Sequence, residues 1–127
     1  MQHEFRIGKA QRFLAAGRLA RDNQHWETCV SRGYYAIYHL VVAVLIVRRG
    51  VDASQWRHAA VRDAFIEHFC KPGYFFSDQD GKDMTRLLED REDADYHDVT
   101  FNDRRARRSF EKAETLANKV LEVLQGG

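Results

Sequence analysis

Proline occurs once in this chain of 127 residues, at position 72, and glycine only eight times. A sandwich or barrel needs turn residues every 8–12 positions or so, and this chain lacks them. Most of it is therefore free to be helical, and its apolar residues recur at helical spacing. Over 4–21 the repeating positions are Ile7, Ala10, Phe13/Leu14, Gly17 and Ala20. Asp22-Asn23 ends that stretch, and Asn23 is a candidate cap for a second helix running to about Arg49. After Tyr38 the second stretch is apolar nearly all round, which predicts the most buried element, with Gly50 as its stop. Ser54 is a candidate cap for a third helix carrying Trp56, Ala60, Ala64, Phe65 and Phe69, broken by Lys71-Pro72-Gly73. Residues 74–79 read as a loop anchored by Tyr74, Phe75 and Phe76. A fourth helix is expected over about 79–92 on a thin stripe of Met84, Leu87 and Leu88. The helical period fails over 93–101. A last helix starts from Asn102 as its cap and carries Ala106, Phe110, Ala113, Ala117, Val120 and Leu124 on one face. The expectation is an all-α protein: an antiparallel bundle of four to five helices in a single domain, 1–127.

Charge sets further limits. With 20 cations and 19 anions the net charge is +1, so no global field recruits nucleic acid or an anionic membrane. The longest apolar run, Leu40 to Val47, is eight residues, where a membrane span needs about twenty. The first residues, Met1-Gln2-His3-Glu4-Phe5-Arg6, form no apolar signal core. A cytoplasmic protein without a membrane partner is expected. Cys29 and Cys70 are too far apart for a CxxC motif and read as reduced, buried residues. The charge is uneven: residues 78–98 hold nine anions and three cations, while the flanking parts are net positive. Arginine outnumbers lysine by 15 to 5, and its planar fork suits phosphate.

Three residue strings go beyond periodicity. Ser31-Arg32-Gly33-Tyr34-Tyr35-Ala36-Ile37-Tyr38-His39 resembles the SRxYYAxxH segment in the second helix of the HEPN family. His58, Phe65 and Phe69-Cys70-Lys71-Pro72-Gly73 are similar to that family's third helix and its glycine stop. Arg91-Glu92-Asp93-Ala94-Asp95-Tyr96 looks like its RxxADY motif, and Phe110 and Ala113 fit its final amphipathic helix. The resemblance spans residues 8–124 in order. It implies an HEPN-like bundle that usually forms a homodimer, with functional residues along the dimer groove. Many such proteins are metal-independent endoribonucleases, with an Arg and a His separated by four to six residues. They often act as toxins or defence effectors beside a small nucleotidyltransferase partner. Other members lack the pair and serve as binding modules.

In this chain Arg91 and His97, with five residues between them, fit that spacing. The residue types suit the chemistry. RNA cleavage without a metal needs a base for the ribose 2′-hydroxyl, a cation for the phosphorane charge and an acid for the leaving oxygen. Histidine exchanges protons near neutral pH, and arginine supplies a permanent charge in bidentate geometry. Geometry is less obliging, because residues six apart on one helix lie roughly 120° from each other. Both face one phosphate only if the helix ends or bends between them, or if two subunits combine. Glu92, Asp93, Asp95 and Asp98 would also repel RNA. Arg91 and Asp95 are spaced for an i,i+4 ion pair. Two departures from the nuclease pattern stand out: Glu92 follows the arginine where a small polar residue is commoner, and Val99 stands where toxin members carry the tyrosine modified by their partner.

Tyr35 and His39 share one face of the second helix, as do Tyr34 and Tyr38, and Arg32 lies three residues before Tyr35. With Asp95 and Tyr96, the residues Arg32, Tyr35 and His39 are the candidate substrate-binding set. His39, His58 and His68 have no HxxxH or HExxH spacing, and no phosphate loop is present, so neither metal nor cofactor is expected. Arg104-Arg105-Ala106-Arg107-Arg108 is the sole basic cluster and opposes the dipole of the helix it begins. The fifteen aromatic residues exceed what such a bundle is expected to bury alone, which predicts a homodimer. Two functions stay open. One is RNA cleavage by Arg91 and His97, with RNA and a nucleotidyltransferase protein as partners. The other is a non-catalytic module binding a nucleotide, a nucleic acid or that partner protein, which the acidic 78–98 segment favours.

Overall fold

The computed structural model describes residues 2–126, the side chain of Gln2 excepted. Met1 and Gly127, the ends of the expected domain, lie outside the described residues. Five α-helices follow one another: α1 Gln2–Asp22, α2 Trp26–Arg49, α3 His58–Phe69, α4 Asp78–Tyr96 and α5 Asp103–Gln125. The apolar stretch that reads as most buried is the hub: α2 packs against each of the other four helices. Ile37, Leu40, Val41, Val44 and Leu45 are completely buried. By length and composition α2 could cross a membrane. Its enclosure by four helices accounts for that composition.

Several boundaries follow local chemistry. Gly50 ends α2 with φ +65°, a left-handed conformation that glycine adopts without a Cβ penalty. Ser77 and Asp80 form a reciprocal capping box at the start of α4, and Lys119 of α5 holds the Asp80 carboxylate at 2.9 Å. Burial opposes charge on Asp80, but the Ser77 N–H and Lys119 outweigh it and hold its pKa low. Asn102 caps α5 by accepting from the Arg105 N–H.

Other boundaries differ from the sequence reading. Asn23 does not cap α2; its side chain donates back to the Leu19 carbonyl and closes α1. Ser54 bonds Asp52 in a tight turn, so α3 starts at His58 and Trp56 is left exposed in the connection. Of the expected loop anchors only Phe76 is buried, against Phe65 and Phe69, while Tyr74 and Phe75 are exposed. Helix α4 continues to Tyr96, four residues past its expected end. After it, Phe101 plugs a small second core with Val30 and Ala106. Cys29 and Cys70 are buried free thiols, pushed up to about 11 and about 12 by that burial.

Phe110 of α5 is fully buried at the point where α1 and α2 come closest to it. A Cβ on Gly17 would lie 2.3 Å from the Phe110 ring, and one on Gly33 2.9 Å from it. Both glycines are thus required by packing rather than by backbone angle. Alanine in a helix is favoured over glycine by about 1 kcal/mol, yet overpacking costs about 1–3 kcal/mol. Gly17→Ala is therefore expected to lower stability in urea unfolding, despite its better helix propensity.

Candidate functional site

Helix α4 presents two functional faces, and the sequence motif at its end is divided between them. Arg91 points toward α2. Its side chain is only 8% exposed, and its Nη2 donates to the Tyr35 hydroxyl at 2.6 Å and to the Tyr96 hydroxyl at 3.2 Å. The guanidinium carbon lies 5.0 Å from the Tyr96 ring centre, 5.3 Å from that of Tyr35 and 5.9 Å from that of Tyr34. The expected Arg91–Asp95 ion pair is present, with Nε 3.2 Å from Oδ2, though not aligned as a hydrogen bond. Ser31 donates to the same Asp95 oxygen at 3.4 Å. Burial works against the charge on Arg91. The bond to Tyr35 and the nearby Tyr96 and Asp95 more than offset this and raise its pKa.

A histidine cluster flanks this arginine. His58 at the start of α3 shares a 2.7 Å hydrogen bond with the Tyr34 hydroxyl, and its ring centre is 4.6 Å from that of Tyr38. Burial, reinforced by the Arg91 charge and opposed by Glu92, lowers the His58 pKa. Burial also pushes the Tyr34 phenol up. His39 stacks on Phe13 with ring planes 3° apart. Arg6 Nη1 lies 2.8 Å from His39 Nδ1. Because arginine only donates, Nδ1 accepts and the ring proton sits on Nε2.

His97 lies elsewhere. It is the residue that ends α4, in extended conformation, and its side chain is 59% exposed. Nδ1 bonds to Asp93 Oδ1 at 2.8 Å, and Arg105 of α5 holds the other Asp93 oxygen at 2.8 Å. Those bonds to His97 and Arg105 keep the Asp93 pKa low. The structure therefore brings together Arg91, Tyr35, Tyr96 and Asp95 within the chain, and sets His97 on the side of α4 where Asp93 meets Arg105 of α5. His39 joins the Arg91 cluster through the Tyr38 ring and through Phe13, which also contacts Tyr35. Arg32 extends over Phe13, 5.7 Å from its ring centre, and lines a shallow cleft with Glu27, Ser31 and Asp95. The sequence points to Tyr34 as part of the second-helix aromatic cluster but not of the substrate-binding set, and does not single out His58, Arg6 or Phe13 as site members. The His58 signal was its place in the third-helix string; Arg6 and Phe13 gave none. Among the described residues, no group of three His, Cys, Asp or Glu is placed to hold a metal ion.

The family model of the HEPN domain matches residues 3–125, so the chain belongs to the HEPN family. Two relatives span most of it. It is similar to a protein named "UPF0332 protein" from Thermotoga maritima, with 28% identity over 92% of this chain and 86% of the relative. It is also similar to a protein of Methanocaldococcus jannaschii named "Putative toxin MJ0605", with 26% identity over 91% of this chain and 84% of the relative.

His39 gives the site a pH signature. Its pKa is lowered to about 4 by burial and by the Arg6 and Lys9 charges, against about 6.5 in the unfolded chain. The unfolded chain thus binds more protons between those values, and stability falls as the pH drops from 6.5 toward 4. His39→Gln, which keeps an acceptor but does not titrate, is expected to flatten the fall in melting temperature across that window.

Proposed function

We propose that this HEPN protein is a metal-independent endoribonuclease of the toxin or defence-effector kind. It works as a homodimer on RNA, with a small nucleotidyltransferase protein as its partner, though Val99 leaves no tyrosine at the position that partner modifies in toxin members. The observation that carries the reading is the Arg91 guanidinium, held ready by the Tyr35 and Tyr96 hydroxyls on the family motif. Family membership and the toxin name of one relative support it. Arg91 carries the phosphorane charge. Tyr96, 70% exposed at the last turn of α4, swings off the guanidinium to admit the phosphate. His97 moves the proton. Because Arg91 and His97 face different neighbours within one protomer, one copy supplies the arginine of each groove and the other copy the histidine. The product is a 2′,3′-cyclic phosphate.

A second reading has its own observation. The Arg91 charge is already engaged by two tyrosine hydroxyls and the Asp95 carboxylate, as expected of a structural cation in a non-catalytic binding module.

Cleavage of a mixed RNA pool separates them. Arg91→Ala and His97→Ala are each expected to lose about 10²–10⁴-fold in rate, and excess EDTA to leave the wild-type rate unchanged. Mixing the two inactive variants is expected to restore about a quarter of wild-type sites, since half of the dimers are mixed and one of their two grooves is complete. A wild-type protein that does not cut, or a folded His97→Ala that cuts like wild type, gives the binding module its place. Loss of cleavage with His58→Ala alone moves the proton-transfer role to His58.

A further inference from the structure

The basic cluster at the start of α5 is not used by the site described above, and the structure gives its members different tasks. Arg105 is structural: it bonds Asp90 at 2.9 Å and Asp93 at 2.8 Å, and its guanidinium lies 4.1 Å from the Phe101 ring centre. Arg107 pairs with Asp103 and lies over Trp26. Arg104 and Arg108 are exposed and make no ion pair among the described residues. They border a cavity of about 160 Å³ between α4 and α5, whose wall also carries Arg86, Arg105 and Lys112.

Five cations thus surround a space with one carboxylate on its wall, Asp90. That carboxylate is buried and already engaged, by Arg105 and by Arg86 at 3.4 Å. Asp83 approaches Lys112 only at 3.7 Å, and Glu111 lies with Asp83 around the adjoining cavity. A second observation is independent of charge. Ser109, on the same wall, is 3% exposed and its hydroxyl has no hydrogen-bond partner among the described residues. A buried hydroxyl without a partner carries a desolvation cost, and a turn of the Ser109 side chain toward the cavity would let a ligand oxygen or an ordered water remove it. The cations at the helix start also oppose the α5 dipole, where anions are favoured. No aromatic or aliphatic side chain lines the space, so it offers no aromatic platform for a base.

We propose that this cavity is a phosphate site that grips a nucleic-acid backbone without regard to sequence, on the face of α4 away from Arg91. That the strand is RNA rests on the cleavage reading; the phosphate grip rests on the cavity alone. Backbone phosphates recognised by arginine forks give affinity and position without base specificity.

The test titrates sodium pyrophosphate and, separately, a decauridylate into wild type, Arg104→Glu/Arg108→Glu, and a control of equal charge change, Arg12→Glu/Lys71→Glu. The readouts are amide NMR shifts and the salt dependence of RNA affinity. Wild type is expected to shift amides over residues 102–112 with both probes. The Arg104/Arg108 variant is expected to weaken both at least about tenfold and to lower the salt slope for RNA by about 1–2. Its melting temperature should hold or rise, because glutamates near the start of α5 suit the dipole; weaker binding is then not unfolding. Equal weakening in the control, or no shift over 102–112, overturns the site. Loss of pyrophosphate binding with RNA affinity unchanged overturns the backbone assignment and leaves a small-oxyanion site. Cleavage is not part of the readout, so a protein that binds RNA here without cutting it fails only the nuclease reading.

Discussion

A buried guanidinium is the constraint around which this molecule is arranged. Removing an arginine from water costs several kcal/mol unless its charge and donors are met, and Arg91 is nearly fully enclosed. The partners come from two helices: Tyr35 from α2, and Asp95 and Tyr96 from α4 itself, with the faces of three tyrosine rings around the cation. Meeting those donors fixes how α4 is rotated against α2. Once that rotation is set, Asp90 and Asp93 point toward α5, where Arg105 bridges them. That bridge holds the start of α5 against α4, and Asp93 in turn holds His97. One cation toward α2 thus determines where the acidic residues of α4 can go.

The two faces divide the functional possibilities. Toward α2 lies an aromatic, histidine-containing cluster in which burial and neighbouring cations lower the pKa of both imidazoles. Toward α5 lies a polar cavity bordered by arginines. The acidic 78–98 segment looked hostile to RNA when read as a line of letters. In three dimensions, Asp80, Asp90 and Asp93 are each engaged by a cation of α5, while Arg104 and Arg108 stay exposed and without an ion pair among the described residues.

Much of the fold could be read from spacing, because the buried faces repeat along each helix and Gly50 and Asn102 carry local stop or cap chemistry, whereas the Ser77 capping box shows only in the structure. The misplacements have a common cause. Asn23, Ser54 and Trp56 were judged by their neighbours in sequence, whereas Asn23 serves the helix behind it and Ser54 is taken by Asp52. The last turn of α4 shows little in the sequence because its packing rests on the buried Arg91, its ion pair with Asp95 and the small Ala94, which together make no apolar stripe. The same holds at the site. Arg91 with Asp95 was legible as an i,i+4 pair, while Arg6 on His39, 33 residues away, and His58 on Tyr34, 24 away, have no local trace. The spacing of Arg91 and His97 was legible too, but not that each would turn to a different helix.

The Arg91–Tyr35 contact is an energetic tie between α4 and α2, not a passive neighbourhood. A double-mutant cycle of Arg91→Lys and Tyr35→Phe, read by urea unfolding, measures it directly. Lysine keeps the charge but loses the fork, and phenylalanine keeps the ring but loses the acceptor. A buried charge-assisted hydrogen bond predicts a coupling of about 1.5–3 kcal/mol. Additive effects, with a coupling within about 0.3–0.5 kcal/mol of zero, would contradict the account.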